Sequence, residues 1–196
     1  MGLSKFNNVQ IRGLKVVLPS QCIAIDDEIR FYKDDPKLLA RNKKILGLGK
    51  RYVLEEGITS FDLCEEAARQ LLKELNLAPD SIDTVIFVSA SHEYIFPADS
   101  CILHGRLGLN EDCSCFDLSG LSCSLYVHAL WLAHSLIASN AASRCLILAG
   151  DMNSTHSDVR NRISNMLYSD AGSASIVERT ESENTAFFYT GTRGRG

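Results

Sequence analysis

The chain lacks an excess of positive charge, a paired-cysteine metal motif, a targeting segment and any apolar run long enough to span a bilayer. Each absence removes a class of function. With 20 Lys and Arg against 24 Asp and Glu, the formal net charge is -4, so overall charge draws it to neither nucleic acid nor anionic lipid. A small-molecule or protein partner fits better. Seven cysteines are an odd number in a 196-residue chain that is too long to need disulfide staples, and no CxxC spacing occurs; reduced thiols and no metal site are expected. The start, Met1 to Phe6, has no apolar signal core, and Phe6 stands where a myristoylation motif needs Ser or Thr, which points to the cytoplasm. The longest apolar run, 125–138, is too short for a membrane span and is interrupted by His128, His134 and Ser135; it reads as a core helix. No internal repeat is present, and the Arg-Gly tail is the only biased segment.

What is present is an ordinary globular balance, 45% hydrophobic and 22% charged, sufficient for one large core. Short runs rich in Val, Ile and Leu alternate with helical patterns, which is α/β order with strands buried on both faces. Strands are expected at 9–17, 84–89, 114–118, 144–149 and 173–178. A helix over 61–75 has Phe61, Cys64, Ala68, Leu71, Leu72 and Leu75 on one face, and Thr59 with Asp62 resembles a capping box. The charged segment 26–46 reads as two short helices divided by Pro36, outside the main sheet. Pro97 suits the first turn of a helix that ends at Gly108, and a short helix is expected over 161–167.

Ligands of open α/β sheets gather outside the carboxyl ends of the strands. The His92 loop, the Cys123 turn and the Asp151 loop all emerge there. Cys123 follows the third strand through Ser119-Gly120-Leu121-Ser122 and opens the apolar helix. Backbone N–H groups and the macrodipole stabilise a thiolate at a helix start, so a thiol there can be a nucleophile. Packing as a small hydrophobe is the competing role. His128 and His134 lie five and eleven residues further along the helix and cannot readily reach back. His104 reads as a helix-face residue, and His92 and His156 as loop residues. Cys113 and Cys115 share one strand face without a second ligand pair. Arg41, Lys43, Lys44, Lys50 and Arg51 form a basic cluster suited to a phosphate or an acidic protein, or else simply a solvated helix face.

Around Cys123, Phe116-Asp117-Leu118, Ser122-Cys123-Ser124 and Ala129-Leu130-Trp131-Leu132-Ala133 resemble the nucleophile segment of beta-ketoacyl-acyl-carrier-protein synthase III, a family of the thiolase-like superfamily. Phe96-Pro97-Ala98, Arg106-Leu107-Gly108-Leu109, Leu148-Ala149-Gly150-Asp151 and Asp170-Ala171-Gly172-Ser173-Ala174 match in the same order. The resemblance implies a thiolase-like half: a mixed five-stranded sheet of mostly parallel strands with helices on both faces. Residues 1–185 would form this N-terminal domain and 186–196 the start of a linker to a second half. It further implies that Cys123 takes an acyl group from acyl-CoA, its backbone N–H donating to the thioester oxyanion, and passes it to malonyl-acyl-carrier-protein with loss of carbon dioxide. Acyl-CoA enters as substrate, with no other cofactor.

Arg162 matches an arginine near the CoA entrance, although Asn161 replaces the acid beside it. Other departures are Ser169 for the glycine before Asp170, Leu125 for the glycine two residues after the cysteine, and a loop before Cys123 one residue longer than usual. The tryptophan and arginine that clamp the CoA adenine are absent, the nearest positions being Arg41 and Ile45. The His-Gln/Pro-x-Asn and Gly-Asn-Thr segments of the second half do not occur either, so this half is expected not to condense alone. The family implies a homodimer. Alternatives are an acyltransferase or thioesterase-like relative in polyketide or surface-sugar biosynthesis, and a non-catalytic half-fold that binds a partner.

Overall fold

The computed structural model describes residues 2–156 and 167–191. In chain order the elements are β1 (Gly2–Asn7), β2 (Val9–Val17), β3 (Gln21–Ala24), a 3-10 segment (Ile25–Tyr32), α1 (Pro36–Leu46), β4 (Lys50–Val53), α2 (Ser60–Glu74), β5 (Thr84–Val88), α3 (Asp99–Leu107), β6 (Ser114–Leu118), α4 (Leu125–Ala138), β7 (Arg144–Asp151), α5 (Asn153–His156), β8 (Ala171–Arg179) and β9 (Thr185–Thr190). Among the described residues no helix is long and apolar enough to cross a membrane.

The main sheet has the order β2-β8-β7-β5-β6. β5 is parallel to both β6 and β7, whereas β8 runs antiparallel to both β7 and β2. The sheet is therefore mixed, with four strands pointing one way and β8 the other. Every residue of β5 is buried, as its unbroken Thr-Val-Ile-Phe-Val run requires of a central strand. Helices α2 and α3 cover one face through Phe61, Leu71, Leu103 and Leu107, and α4 covers the other through Leu125, Ala129, Ala133 and Ile137.

Helix α2 begins where the capping-box pattern places it. Asp62 Oδ2 accepts the Thr59 N–H at 2.9 Å, and Thr59 Oγ1 accepts the Asp62 N–H at 3.4 Å. Its contact with the sheet depends on glycine. A Cβ at Gly172 would lie 2.5 Å from the backbone of Leu63 and Cys64, and one at Gly150 would lie 2.6 Å from Cys64 Sγ. The helix thus seats directly on β7 and β8, beside the ends that border the candidate site.

One expectation is corrected. Pro97 is not in the first turn of α3; it precedes the N-cap residue, Ala98. The reason is Asp117 on β6, whose carboxylate accepts the N–H groups of Asp99 and Ser100, each at 2.8 Å, and so sets the helix start at Asp99. At the far end of the described chain, 185–190 form β9, paired antiparallel with β1. Phe6 and Phe188 turn inward against the His134 ring, with centroids 5.7 and 5.0 Å away, and Trp131 Nε1 donates to Ser4 Oγ at 3.1 Å. That apolar inner face holds the ribbon on α4.

The 26–46 segment lies outside the main sheet, as expected, and packs with the β3–β4 hairpin into a small cap. Ile25, Tyr32 and Leu39 form its core. Pro36 opens α1, and Asp35 caps it by accepting the N–H groups of Lys37 and Leu38. The short helix expected over 161–167 falls largely outside the described residues.

Candidate functional site

Strand β6 ends at Leu118, and Gly120 takes a left-handed φ of 80° to turn the chain. Ser122–Ser124 then form a 3-10 turn, and α4 starts at Leu125. Cys123 therefore stands just ahead of the helix rather than inside its first turn. It is exposed, on the wall of an open cavity of about 420 Å³ whose lining includes Val88, Leu125, Tyr126, Ala149, Asp151 and Tyr168. The cavity lies at the carboxyl ends of β5 and β7 and, because β8 is reversed, at the start of β8.

Two carboxylates hold its rim. Asp151 Oδ1 accepts the N–H groups of Ala90 at 2.8 Å and Ser91 at 3.2 Å, and the hydroxyls of Ser89 and Ser91 at 3.0 Å each. The loop after β5 is thereby fastened to the end of β7. Asp170 is fully buried; its Oδ1 accepts the Ser154 N–H at 2.9 Å, while Oδ2 accepts the Leu54 N–H and the Ser154 hydroxyl. Beside it, Ser169 Oγ accepts the Tyr52 N–H at 3.0 Å. The cap, the loop after β7 and the start of β8 meet at these residues. Deeper in, Tyr126 reaches from α4 to β8, its hydroxyl 2.8 Å from Ser175 Oγ.

The cysteines separate by environment. Burial pushes the Cys64, Cys115 and Cys145 thiols up to about 12, and that of Cys113 to about 11, so these four behave as core residues. Cys113 and Cys115 both pack in the core under α2 and α3, on one strand face as their spacing predicts. Cys22 and Cys101 are exposed but do not line the cavity. Only Cys123, among the described residues, combines exposure with that position.

The histidines take other roles. His128 Nδ1 pairs with the Ser124 carbonyl at 2.9 Å and His134 Nδ1 with that of Leu130 at 2.7 Å, so both bond along their own helix. His104 Nε2 lies 2.8 Å from the Asn110 carbonyl. His92 Nδ1 sits 2.7 Å from Asp99 Oδ2 and 4.0 Å from Asp117 Oδ2. These three residues could in principle face one ion, but Asp99 also accepts the N–H groups of Glu93 and Tyr94, and Asp117 those of Asp99 and Ser100. Their oxygens are committed to latching the loop to α3. Arg162 and the His156 side chain lie outside the described residues.

The sequence reading passed over Asp170 as a structural tie, although a carboxylate at the head of a small-residue strand could have signalled one. The basic cluster does not stay together. Arg51 is buried and pairs with Glu28 at 2.6 Å, and Lys43 pairs with Asp26 at 2.7 Å.

Residues 116–194 match the family model of 3-oxoacyl-[acyl-carrier-protein] synthase III. A putative 3-oxoacyl-[acyl-carrier-protein] synthase 3 of Campylobacter jejuni is 36% identical over 193 residues, covering 98% of this chain and 54% of its own length. A beta-ketoacyl-[acyl-carrier-protein] synthase III of Cereibacter sphaeroides is 33% identical over 90% of this chain and 53% of its own length. Among solved structures, a 3-oxoacyl-(acyl-carrier protein) synthase of Burkholderia xenovorans superposes with a TM-score of 0.90 at 31% identity, over 95% of this chain and 52% of that one. The chain spans about half the length of the curated relatives it matches.

Proposed function

Since the chain belongs to the 3-oxoacyl-[acyl-carrier-protein] synthase III family and corresponds to the N-terminal half of its members, we propose that Cys123 is the acyl-accepting nucleophile of a condensing enzyme. The observation that carries this reading is its exposed place on the cavity at the strand ends, within the matched segment. Its thiolate attacks the carbonyl carbon of acyl-CoA, the Cys123 N–H donates to the oxyanion, and on collapse the C–S bond to CoA breaks, CoA leaving as the thiolate that takes a proton from solvent. The held acyl group then passes to malonyl-acyl-carrier-protein, whose decarboxylation supplies the attacking carbon. That second step needs donors for the developing enolate, which the resemblance assigns to a histidine and an asparagine beyond this half. Arg162 at the CoA entrance and a cytoplasmic location belong to the same reading.

An uncovered apolar stripe supports a second body. Ile11, Leu14 and Val16 of β2 lie opposite Val177, Ser175 and Ser173 of β8, on the side of the sheet that α4 covers, yet are 49%, 54% and 49% exposed. Stripes of this kind mark surface meant to be covered. The open edge of β6, with Phe116 outward, suits antiparallel pairing with a second copy in a homodimer.

Mass spectrometry after incubation with acetyl-CoA tests the nucleophile. One acetyl group mapping to Cys123, and absent from Cys123→Ser, is expected; acylation at another cysteine alone would refute it. A second reading, an acyltransferase or thioesterase-like relative, draws on Leu125, which fills part of the cavity wall. Release of free acid after acylation, measured by chromatography, would favour that reading.

A further inference from the structure

Away from the Cys123 cavity, an exposed thiol and a half-buried one lie side by side. Cys101 is exposed in the first turn of α3, and Cys115 is half-buried on β6. Their nearness follows from the way α3 is seated. Asp117 accepts the N–H groups of Asp99 and Ser100, each at 2.8 Å, which fixes the start of the helix over the strand, and Cys115 shares that strand face two residues earlier. Ile102, the next residue along α3, packs against the same core cluster as Cys115. The Cys115 thiol accordingly meets that of Cys101, with which it shares a side-chain hydrogen bond.

The two thiols differ in what they can do. Burial, and after it the neighbouring Cys101, pushes the Cys115 thiol up to about 12, so it keeps its proton at neutral pH and is not the first to react. Cys101 is the accessible one. Once the Cys101 sulfur is bound in a disulfide it carries no charge, and its share in holding the Cys115 proton disappears. An exposed thiol backed by an adjacent enclosed one is the arrangement of a redox-active pair, in which the first takes up an oxidant and the second displaces it. Cys22 provides the contrast. It is exposed on β3 opposite Tyr52, and the charged group it acts on is Lys50.

We propose that Cys101 and Cys115 are a modification site that closes reversibly into a disulfide when a small-molecule disulfide is present, Cys101 attacking and Cys115 resolving. The Cys101 thiolate attacks one sulfur of the small disulfide, whose S–S bond breaks and releases a thiolate. Cys115 then gives its proton to solvent and attacks the Cys101 sulfur, the mixed disulfide breaks, and a second small thiolate leaves. Both leaving groups take up protons, so two protein thiols are oxidised by two electrons while one small disulfide is reduced to two thiols. The bond fastens the first turn of α3 to β6, the strand that runs on into the Cys123 turn.

The test is incubation of the reduced, folded chain with glutathione disulfide, followed by acid quenching and mass spectrometry of unreduced peptides. A link joining Cys101 to Cys115 within one chain is expected, reversed by dithiothreitol and formed equally by Cys123→Ser. Cys22 should instead accumulate bound glutathione. In Cys115→Ser, glutathione should stay on Cys101 at several-fold higher occupancy than in the unchanged chain, while Cys101→Ser should leave Cys115 unmodified. Thermal melts check that both variants fold, and the linked peptide of the unchanged chain needs neither of them. Glutathione retained on Cys101 of the unchanged chain with no link to Cys115 overturns the proposal. So does a link that appears only in urea, or one that joins Cys101 to a different cysteine or to a second chain.

Discussion

The carboxylate of Asp170, wholly buried, accepts the backbone N–H of Leu54 at 2.9 Å across 116 residues of sequence. The same group accepts from Ser154, so one side chain joins the cap, the loop after β7 and the start of β8. Among the described residues its partners are N–H and O–H donors, with no cation beside it. Asp170→Asn keeps the shape but turns one acceptor into a donor facing donors. A loss of roughly 1.5–3 kcal/mol is expected, read as a lower urea midpoint. An unchanged midpoint would show that the tie contributes little.

Gly172 lies under α2 with no room for a side chain. Gly172→Ala would put a Cβ 2.5 Å from the backbone of Leu63 and Cys64, and overpacking of this kind costs about 1–3 kcal/mol or more. Gly105→Ala is the matched control, since nothing lies within 4 Å of its added Cβ and alanine is the better helix former by up to roughly 1 kcal/mol. Thermal melts should move in opposite directions for the two.

Native alkylation should sort the cysteines. Cys22, Cys101 and Cys123 are exposed, whereas desolvation pushes the thiols of buried Cys64 and Cys145 and of partly buried Cys115 up to about 12, and that of Cys113 to about 11. At pH 8 the buried group holds only about one thiolate in a thousand or fewer. Iodoacetamide followed by peptide mass spectrometry should mark the first three and spare the other four until denaturant is added. Early modification of Cys145 would contradict the burial described.

His134 makes stability fall on acidification. Burial lowers its pKa from the ordinary histidine value, and the bond to the Leu130 carbonyl only partly offsets this. The unfolded chain therefore takes up a proton first, as pH drops below about 6.5. The native state keeps its full advantage above that value and loses it progressively toward the lower folded pKa. Urea midpoints at pH 7.5 and pH 5 should differ less for His134→Gln than for the unchanged chain. An equal difference would remove His134 as a cause.

Features encoded locally were legible in the sequence. The capping box at Thr59 and Asp62 and the stop at Gly108 each involve residues within a turn of one another, and the five main strands announce themselves by composition. What escaped was long-range. β1 and β9 pair from opposite ends of the chain, and the short, mixed sequence of β1 does not announce the partner that the Phe187-Phe188-Tyr189 run needs. Arg51 looked like part of a basic surface because its partner, Glu28, lies 23 residues earlier. At the site, the exposure of Cys123 follows from its turn, but its rim is assembled by carboxylates whose partners are backbone groups some 60 to 116 residues away.

Because β8 is the one reversed strand of the main sheet, the chain leaves β7 and re-enters β8 on the same side of the Cys123 cavity. The whole excursion between them, 152–170, departs from and returns to one rim. Both of its ends are anchored there, at Ser154 on leaving and at Ser169 and Asp170 on returning, so the segment is closed into a loop by the same buried carboxylate that holds the cap.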